Sequence, residues 1–248
     1  MSAQVRPAAI VTGASRGIGA EIARRLAVEG HDLTISARGR EALDDLATEL
    51  REAHGVDVLV VTTDMSSEDD VRRLAHEHAD HFKRLDVLVL NAGMGDIGAF
   101  ADYPVRRFDK MYMVNVRSAF VLTQDLLPLL RTAGSSTVRG GKIIAIASTT
   151  GVVGEPLNSA YGATKAALIS WCETISTEES VGGVVATAVC PGYVATDMTK
   201  GLSDTLSQDH MLPVADVAEA ALSLTRLSRQ TVVPSIVLTR PGAHLWRA

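Results

Sequence analysis

Short apolar stretches alternate along the chain with longer segments in which apolar residues recur every three or four positions. The short stretches are almost continuously apolar, which is typical of parallel strands that helices cover on both faces. They predict strands at Ala8–Thr12, Asp32–Ser36, Asp57–Thr62, Asp86–Leu90, Lys142–Ala147, Val184–Cys190 and Ser235–Thr239.

The segments between these strands predict amphipathic helices. The first two helices should end before Gly30 and Gly55, because glycine readily terminates a helix. A third should begin after Ser66 and Ser67, whose hydroxyl groups can cap its first turn. The alternation predicts an α/β fold with three αβα layers, a doubly wound parallel sheet of the Rossmann type. Residues 1–248 are predicted to form a single domain.

Composition is that of an ordinary soluble globular protein. The chain has 248 residues, 46% of them hydrophobic and 21% charged, and a net charge of −5. The slightly acidic balance argues against nucleic acid as a partner. No apolar stretch approaches the roughly 18 residues that a membrane span needs, and no secretory signal is visible, so we expect a cytoplasmic protein that binds no membrane.

Cysteine and histidine give little sign of a metal site. Cys172 and Cys190 are far apart, which excludes a disulfide framework and a cysteine-rich zinc site. His76, His78 and His81 lie close together in a predicted helix, but their spacing does not suit two ligands one turn apart. We expect these histidines on a solvent-exposed helix face, and no bound metal.

A glycine-rich turn joins the first strand to the first helix. Glycines let a phosphate approach the backbone, and the N–H groups at a helix start attract anions. The G-x-x-x-G-x-G spacing lacks the Lys-Ser or Lys-Thr of a triphosphatase loop. Gly13–Gly17 also matches the G-x-S-x-G of serine hydrolases, but only twelve residues precede it, too few for that fold. The candidate dinucleotide-binding residues are Gly13, Ser15, Arg16, Gly17, Ile18 and Gly19.

The end of the second strand indicates which dinucleotide is bound. An acidic residue there would hold the ribose 2′-hydroxyl of NAD, but the strand ends in Ser36-Ala37-Arg38. Arg38 can instead bind a 2′-phosphate with its charged fork, and Arg16 in the turn can add a second cation. The sequence therefore favours NADP(H) over NAD(H).

Three residues predict acid–base chemistry. Tyr161 and Lys165 are four apart and share one helix face, and Ser148 ends the fifth strand, where a ligand crevice is expected. A free tyrosine has a pKa of about 10, too high for an efficient acid–base group near neutrality. The Lys165 cation, helped by the positive nicotinamide, is expected to favour the phenolate form of Tyr161. Ser148 is expected to hold the substrate oxygen.

These motifs, in this order, resemble the short-chain dehydrogenase/reductase family from Val11 to about Thr199. Beside the glycine-rich turn, the resemblance rests on Asp64, Asn91-Ala92-Gly93, Asn115, Ser148, Tyr161, Lys165, Pro191-Gly192 and Thr196.

The resemblance implies a role for each of these positions. Asp64 would bind adenine, and Asn91-Ala92-Gly93 would line the cofactor cleft. Asn115 would anchor a water molecule that links Lys165 to solvent in a proton relay, while Lys165 would also hold the nicotinamide ribose. Pro191 and Gly192 would pass the nicotinamide, Thr196 would contact its carboxamide or the pyrophosphate, and Val194 would also bind the cofactor.

The expected function is an NADP(H)-dependent oxidoreductase that interconverts a ketone or aldehyde and an alcohol by hydride transfer, with Tyr161 as the acid–base group. One alternative is a reductase of 3-oxoacyl thioesters, which only Arg106-Arg107 suggests, as a docking site for an acidic carrier protein. Another is a catalytically silent NADP-binding sensor on the same fold. By resemblance, the chain is expected to form a homodimer or homotetramer.

The substrate is expected to lie between three segments. They are Met94–Phe100, Gly151–Leu157 and Met198–Met211, the last within a predicted lid around residues 193–211. Two further features stand out: a predicted loop at Thr132–Gly141, and a short C-terminal tail, residues 243–248, that departs from the family pattern.

Overall fold

The computed structural model describes residues 6–202 and 210–242. Within them, seven parallel strands form one sheet in the order β3-β2-β1-β4-β5-β6-β7, which confirms the predicted Rossmann-type fold. Every strand boundary lies within one residue of the prediction. The strands are β1 Ala8–Thr12, β2 Asp32–Ala37, β3 Val58–Thr62, β4 Val87–Leu90, β5 Gly141–Ile146, β6 Val184–Pro191 and β7 Ser235–Leu238.

Helices cover both faces of this sheet and bury two apolar cores. One core contains side chains from α1, α2 and α7, such as Leu26, and the other contains side chains from α3, α5 and α6, such as Leu126. The helices are α1 Gly17–Val28, α2 Glu41–His54, α3 Glu68–Phe82, α4 Val105–Tyr112, α5 Ser118–Ser136, α6 Ser159–Glu179 and α7 Val214–Arg226.

The order of the strands reverses between β1 and β4. From β1 the chain continues outward through β2 and β3, whereas β4 pairs with the other side of β1 and leads toward β7. Helices that follow β1 and β4 therefore leave on opposite faces, and a crevice opens at the carboxyl ends of these two strands. The glycine-rich turn and the segment that begins at Asn91 line this crevice.

The ends of the first three helices agree with the sequence prediction. Ser67 caps α3, because its hydroxyl accepts the N–H of Asp70 at 3.3 Å. Gly55 ends α2 with a φ of +63°, a left-handed conformation that favours glycine. Gly30, with a φ of +80°, follows α1 in the same way.

The predicted loop at Thr132–Gly141 is wrong over its first half, because α5 continues to Ser136. Gly134 is a packing residue: a Cβ there would lie 2.5 Å from the Gly182 carbonyl oxygen, so only glycine lets the helix come this close. In this polar last turn, the Ser136 hydroxyl points back along the helix and donates to the Thr132 carbonyl at 2.6 Å.

Two predicted features fall partly or wholly outside the described residues. Of the lid predicted around residues 193–211, residues 203–209 lie outside them, as does the tail, residues 243–248. The extent of the domain and the closure of the lid stay predictions. In the part of the chain that the structure describes, no helix is both long and apolar enough to cross a membrane.

His78 is fully buried, so the expectation of an exposed histidine face is wrong at this position. Its Nε2 lies 3.0 Å from the Arg84 carbonyl oxygen and its Nδ1 lies 2.7 Å from the Thr34 hydroxyl. A carbonyl oxygen only accepts, so Nε2 carries the hydrogen and Nδ1 accepts from Thr34. Burial lowers the pKa of His78 from 6.5 to about 4. His76 and His81 are exposed, as predicted.

This buried histidine should make folding stability depend on pH. Above pH 6.5 His78 is neutral in both states, whereas between pH 6.5 and 4 the unfolded chain binds a proton that the folded chain does not. Stability should therefore fall by about 3 kcal/mol across that range because of His78 alone. In urea unfolding at several pH values, His78→Gln should flatten the pH dependence by this amount. His76→Gln is the control and should leave the pH dependence of stability unchanged. If His78→Gln also leaves it unchanged, the prediction is contradicted.

Candidate active site

Asn91 and Thr12 fix the shape of the glycine-rich turn. The Asn91 amide donates to the carbonyl oxygens of Thr12 at 2.9 Å and Gly13 at 3.1 Å. In return, the Thr12 hydroxyl oxygen accepts the backbone N–H groups of Asn91 and Ala92, both at 3.0 Å. Gly13 has a φ of +66°, and a Cβ there would lie 2.9 Å from the Ala92 Cα atom. The turn is thus closed against the end of β4.

The start of α1 fits the phosphates of a dinucleotide. Arg16 precedes the helix in an extended conformation, and no side chain caps the helix there, so the first N–H groups of α1 face outward. Gly17, with a φ of +58°, lies opposite Thr196: a Cβ on Gly17 would be 3.5 Å from the Thr196 methyl carbon. Ser15 and Ile18, which flank these residues, are half-buried.

Arg38 and Asp64 lie at the carboxyl ends of the neighbouring strands β2 and β3, where the adenosine end of a dinucleotide is expected. The Asp64 carboxylate accepts the backbone N–H of Ser66 at 2.9 Å and its hydroxyl at 2.8 Å. These bonds lower the pKa of Asp64, and the charges of Lys110 and Arg38 lower it further. Lys110 was missed in the sequence because α4 is far from Asp64 along the chain.

Arg16 pairs with an acidic side chain from the segment after β6. Its Nε lies 3.5 Å from an Asp197 carboxylate oxygen, in a pair that is open to solvent. Asp197 begins a short 3-10 helix, Asp197–Leu202, directly after Thr196. The segment after β6 therefore contacts the glycine-rich turn.

The structure brings Ser148, Tyr161 and Lys165 together. Ser148 follows β5, and the other two lie one turn apart on α6. Lys165 Nζ is 5.5 Å from the centre of the Tyr161 ring and donates to the Ile146 carbonyl oxygen at 2.7 Å. The sequence did not reveal Thr150, whose N–H and hydroxyl donate to Ser148 Oγ at 3.2 and 3.0 Å. Ser148 keeps its own hydrogen for Tyr161 or a substrate oxygen.

Burial controls the protonation of this trio. It raises the pKa of Tyr161 to about 12, an effect that Tyr193 increases and the hydrogen bond with Ser148 opposes. It also lowers the pKa of Lys165 to about 8. The Lys165 ammonium group bonds to a backbone carbonyl oxygen. The expectation that this cation, helped by a positive nicotinamide, favours the phenolate form of Tyr161 stays a prediction.

Asn115 connects the loop after β4 to α6. It lies in a π-helical turn, Met113–Arg117, between α4 and α5. Its amide donates to the Met94 carbonyl oxygen and the Thr164 hydroxyl, each at 3.0 Å, and its oxygen accepts the Met94 N–H at 2.9 Å. Thr164 precedes Lys165, so Asn115 positions both sides of the site. Its role in a proton relay stays a prediction.

Glycines leave room around the catalytic trio. A Cβ on Gly93 would lie 3.5 Å from Lys165 Nζ, so only hydrogen faces the lysine there. A Cβ on Gly95 would lie 3.6 Å from both the Tyr161 ring and the sulfur of Met198. The Gly98 N–H donates to the Leu157 carbonyl oxygen at 2.9 Å, which joins two of the predicted substrate-binding segments. Exposed apolar side chains of all three segments are Ile97, Phe100, Val152, Val153, Leu157 and Met198.

The segment after β6 forms the remaining wall of the candidate active site. Pro191 ends the strand, the Gly192 N–H donates to the Leu238 carbonyl oxygen at 2.9 Å, and Val194 forms a bridge with Leu212. The Tyr193 hydroxyl donates to Glu155 at 3.4 Å, a polar contact near Tyr161 that the sequence did not indicate.

Comparisons with known proteins agree with this arrangement. The short chain dehydrogenase family model matches residues 7–207. The chain is 33% identical over 207 residues to the 3-oxoacyl-(acyl-carrier-protein) reductase FabG of Staphylococcus aureus strain Mu50, covering 83% of this chain and 82% of that protein.

Solved structures with the same fold include two complexes. An alcohol dehydrogenase from the archaeon Thermococcus sibiricus, complexed with 5-hydroxy-NADP, has a TM-score of 0.85 and 28% identity, covering 96% of this chain and 100% of that one. The RhlG/NADP active-site complex of Pseudomonas aeruginosa has a TM-score of 0.84 and 32% identity, covering 94% of each chain. The chain belongs to the short-chain dehydrogenase family and is an oxidoreductase.

The three hydrogen bonds of Asn115 should contribute strongly to stability. Asn115→Ala leaves the Met94 N–H, the Met94 carbonyl and the Thr164 hydroxyl without their partner. The free energy of unfolding, measured in urea, should therefore fall by about 2–4 kcal/mol. Asn158→Ala is the matched control, because the amide of this buried asparagine makes only long contacts of 3.4 and 3.5 Å. Asn158→Ala should lower the free energy of unfolding by less than about 1 kcal/mol. Equal losses in the two variants would contradict the positioning role of Asn115.

Proposed function

We propose that this protein is an NADP(H)-dependent reductase that converts a ketone or aldehyde into an alcohol. The observation that carries this proposal is the grouping of Ser148, Tyr161 and Lys165, in which Lys165 Nζ lies 5.5 Å from the centre of the Tyr161 ring and Gly95 lies beside that ring. A neutral phenol is a proton donor, and a carbonyl oxygen needs a proton as it becomes an alcohol. The arrangement therefore favours reduction near pH 7, with oxidation gaining as the pH rises.

Each member of the trio has a distinct task. A bound NADPH supplies a hydride to the carbonyl carbon. Ser148 donates its hydrogen to the carbonyl oxygen and orients it toward Tyr161, which transfers its proton to that oxygen. Lys165 has a pKa of about 8 and is mostly charged at pH 7, so it stabilises the phenolate that Tyr161 becomes. Asn115 keeps α6 and the Met94 loop in place during this transfer.

Several cations support NADP(H) as the cofactor. Arg38 lies directly after β2, which ends without an acidic side chain for a 2′-hydroxyl, and Lys110 lies near the adjacent Asp64. Arg16 adds a third cation at the glycine-rich turn. Two structures similar to this chain are NADP-type complexes. The proposed site comprises the cofactor-binding residues predicted from the sequence, together with Lys110.

A 3-oxoacyl thioester is the second candidate substrate. The similarity to FabG favours it, as do the exposed apolar side chains around the site, which suit an acyl chain. Arg107 already binds Asp96 at 2.9 Å, which leaves the exposed Arg106 as the better candidate contact for a carrier protein. Turnover of a 3-oxoacyl thioester should be compared with that of the 3-oxoester of equal length. A preference of more than about tenfold for the thioester would favour this candidate.

The predicted homodimer or homotetramer is part of the proposal.

Tyr161→Phe tests the proton-transfer role. It should lower the rate of NADPH-dependent ketone reduction by about 10²–10⁴-fold, because the proton donor is lost. NADPH binding, followed by fluorescence titration, should persist. Tyr112→Phe removes a hydroxyl from a more exposed tyrosine and should retain activity. Substantial reduction by Tyr161→Phe would contradict the role. Tight NADPH binding by the unaltered protein, without turnover of any carbonyl compound, would favour a sensor.

Arg38→Asp tests the choice of cofactor. The change removes a cation from the proposed 2′-phosphate site and adds an anion, so NADPH binding should weaken by about 10- to 100-fold. NADH binding should change much less, because NADH lacks this phosphate. Arg139→Asp makes the same exchange in an exposed loop before β5, at the amino ends of the strands, whereas Arg38 lies at their carboxyl ends. Equal losses for NADPH and NADH in Arg38→Asp would refute the assignment of Arg38.

A further inference from the structure

A carboxylate lies at the glycine-rich turn, where the proposed function requires an anionic cofactor. Arg16 directly precedes α1, and its Nε is 3.5 Å from an oxygen of Asp197. The side chains are 72% and 39% exposed, so the contact faces the open crevice. Thr196, next to Asp197, faces Gly17 of the same turn.

This ion pair is weak enough for a phosphate to replace it. Exposed pairs contribute little because water and salt screen them. A phosphate monoester carries more charge than a carboxylate and offers three oxygens to the guanidinium fork. Asp197 also makes a contact besides the one with Arg16, so it keeps an interaction when Arg16 turns away.

We propose that Asp197 is a cofactor-specificity residue, because its carboxylate competes with the 2′-phosphate of NADP(H) for Arg16. The inference rests on the proposed NADP(H) function. Binding of NADPH must break the pair between Arg16 and Asp197, whereas binding of NADH leaves it intact. Asp197 thus reduces the preference for the phosphorylated cofactor that Arg38 and Arg16 create.

The same exchange connects the cofactor to the substrate side of the site. Met198 follows Asp197, and its sulfur and the Tyr161 ring both lie beside Gly95. When Asp197 is released from Arg16, the adjacent Met198 loses a restraint on its position near the catalytic Tyr161. Because coupling between two sites is reciprocal, a substrate that displaces Met198 should in turn favour NADPH.

A double-mutant cycle tests the proposal by fluorescence titration with NADPH and NADH. The proteins are the unaltered chain, Asp197→Asn, Arg16→Gln and the double variant. Asp197→Asn should tighten NADPH binding by about two- to fivefold, the range expected for an exposed ion pair. NADH binding should stay nearly constant. In the Arg16→Gln background, Asp197→Asn should have no effect on NADPH.

Two controls separate this competition from general effects. Asp216→Asn removes one negative charge from an exposed position in the first turn of α7 and should leave both affinities unchanged. Asp197→Ser removes the carboxylate in a different way and should repeat the gain of Asp197→Asn. Thermal unfolding of every variant checks that the fold is intact.

Four results would overturn the inference. A gain that persists in Arg16→Gln would mean that Asp197 acts through its charge alone. An equal gain for NADH would place Arg16 at the pyrophosphate that both cofactors share. No gain, while the unaltered protein binds NADPH, would refute the competition and leave the proposed function standing. Failure of the unaltered protein to bind NADPH would overturn the proposed function together with the inference.

Discussion

The hydrogen bonds that join Asn91 to the end of β1 are the constraint from which the site is built. β1 and β4 diverge at their carboxyl ends, so the backbone ladder between them cannot continue into the crevice. The Asn91 amide and the Thr12 hydroxyl replace it, and they hold Gly13 in its left-handed conformation. The chain then enters the Met94 loop at a fixed point. Asn115 bonds to this loop and connects it to α6.

The fold could be predicted well because buried parallel strands have a distinctive pattern. Their apolar stretches located all seven strands within one residue, and the order of motifs located Ser148, Tyr161 and Lys165. Errors arose where tertiary packing overrides local composition. Gly134 is typical of a loop, yet it lies in a helix, where the close Gly182 backbone leaves no room for a side chain. His78 lies in a polar stretch, yet it is buried, and Arg84 and Thr34 satisfy its ring nitrogens.

Protonation and partners were the least predictable properties of the site. The spacing of Tyr161 and Lys165 predicts that they are neighbours, but it says nothing about the water that both lose on folding. This loss of water raises the pKa of Tyr161 and lowers that of Lys165. Thr150 and Lys110 were also missed, since a threonine or lysine without a motif is indistinguishable from many others in the chain. Their proximity to Ser148 and Asp64 is a property of the fold.

The π-helical turn at Met113–Arg117 has a consequence for how the family can vary. A π-turn holds one residue more than an α-helix would, and it gives poorer hydrogen bonding. A chain shorter by one residue here would pass from α4 into α5 as a regular helix, without the wide turn that carries Asn115. The contacts of Asn115 with Met94 and Thr164 depend on the backbone position that this turn provides. The number of residues in this segment, and not only their chemistry, therefore sets the geometry of the site.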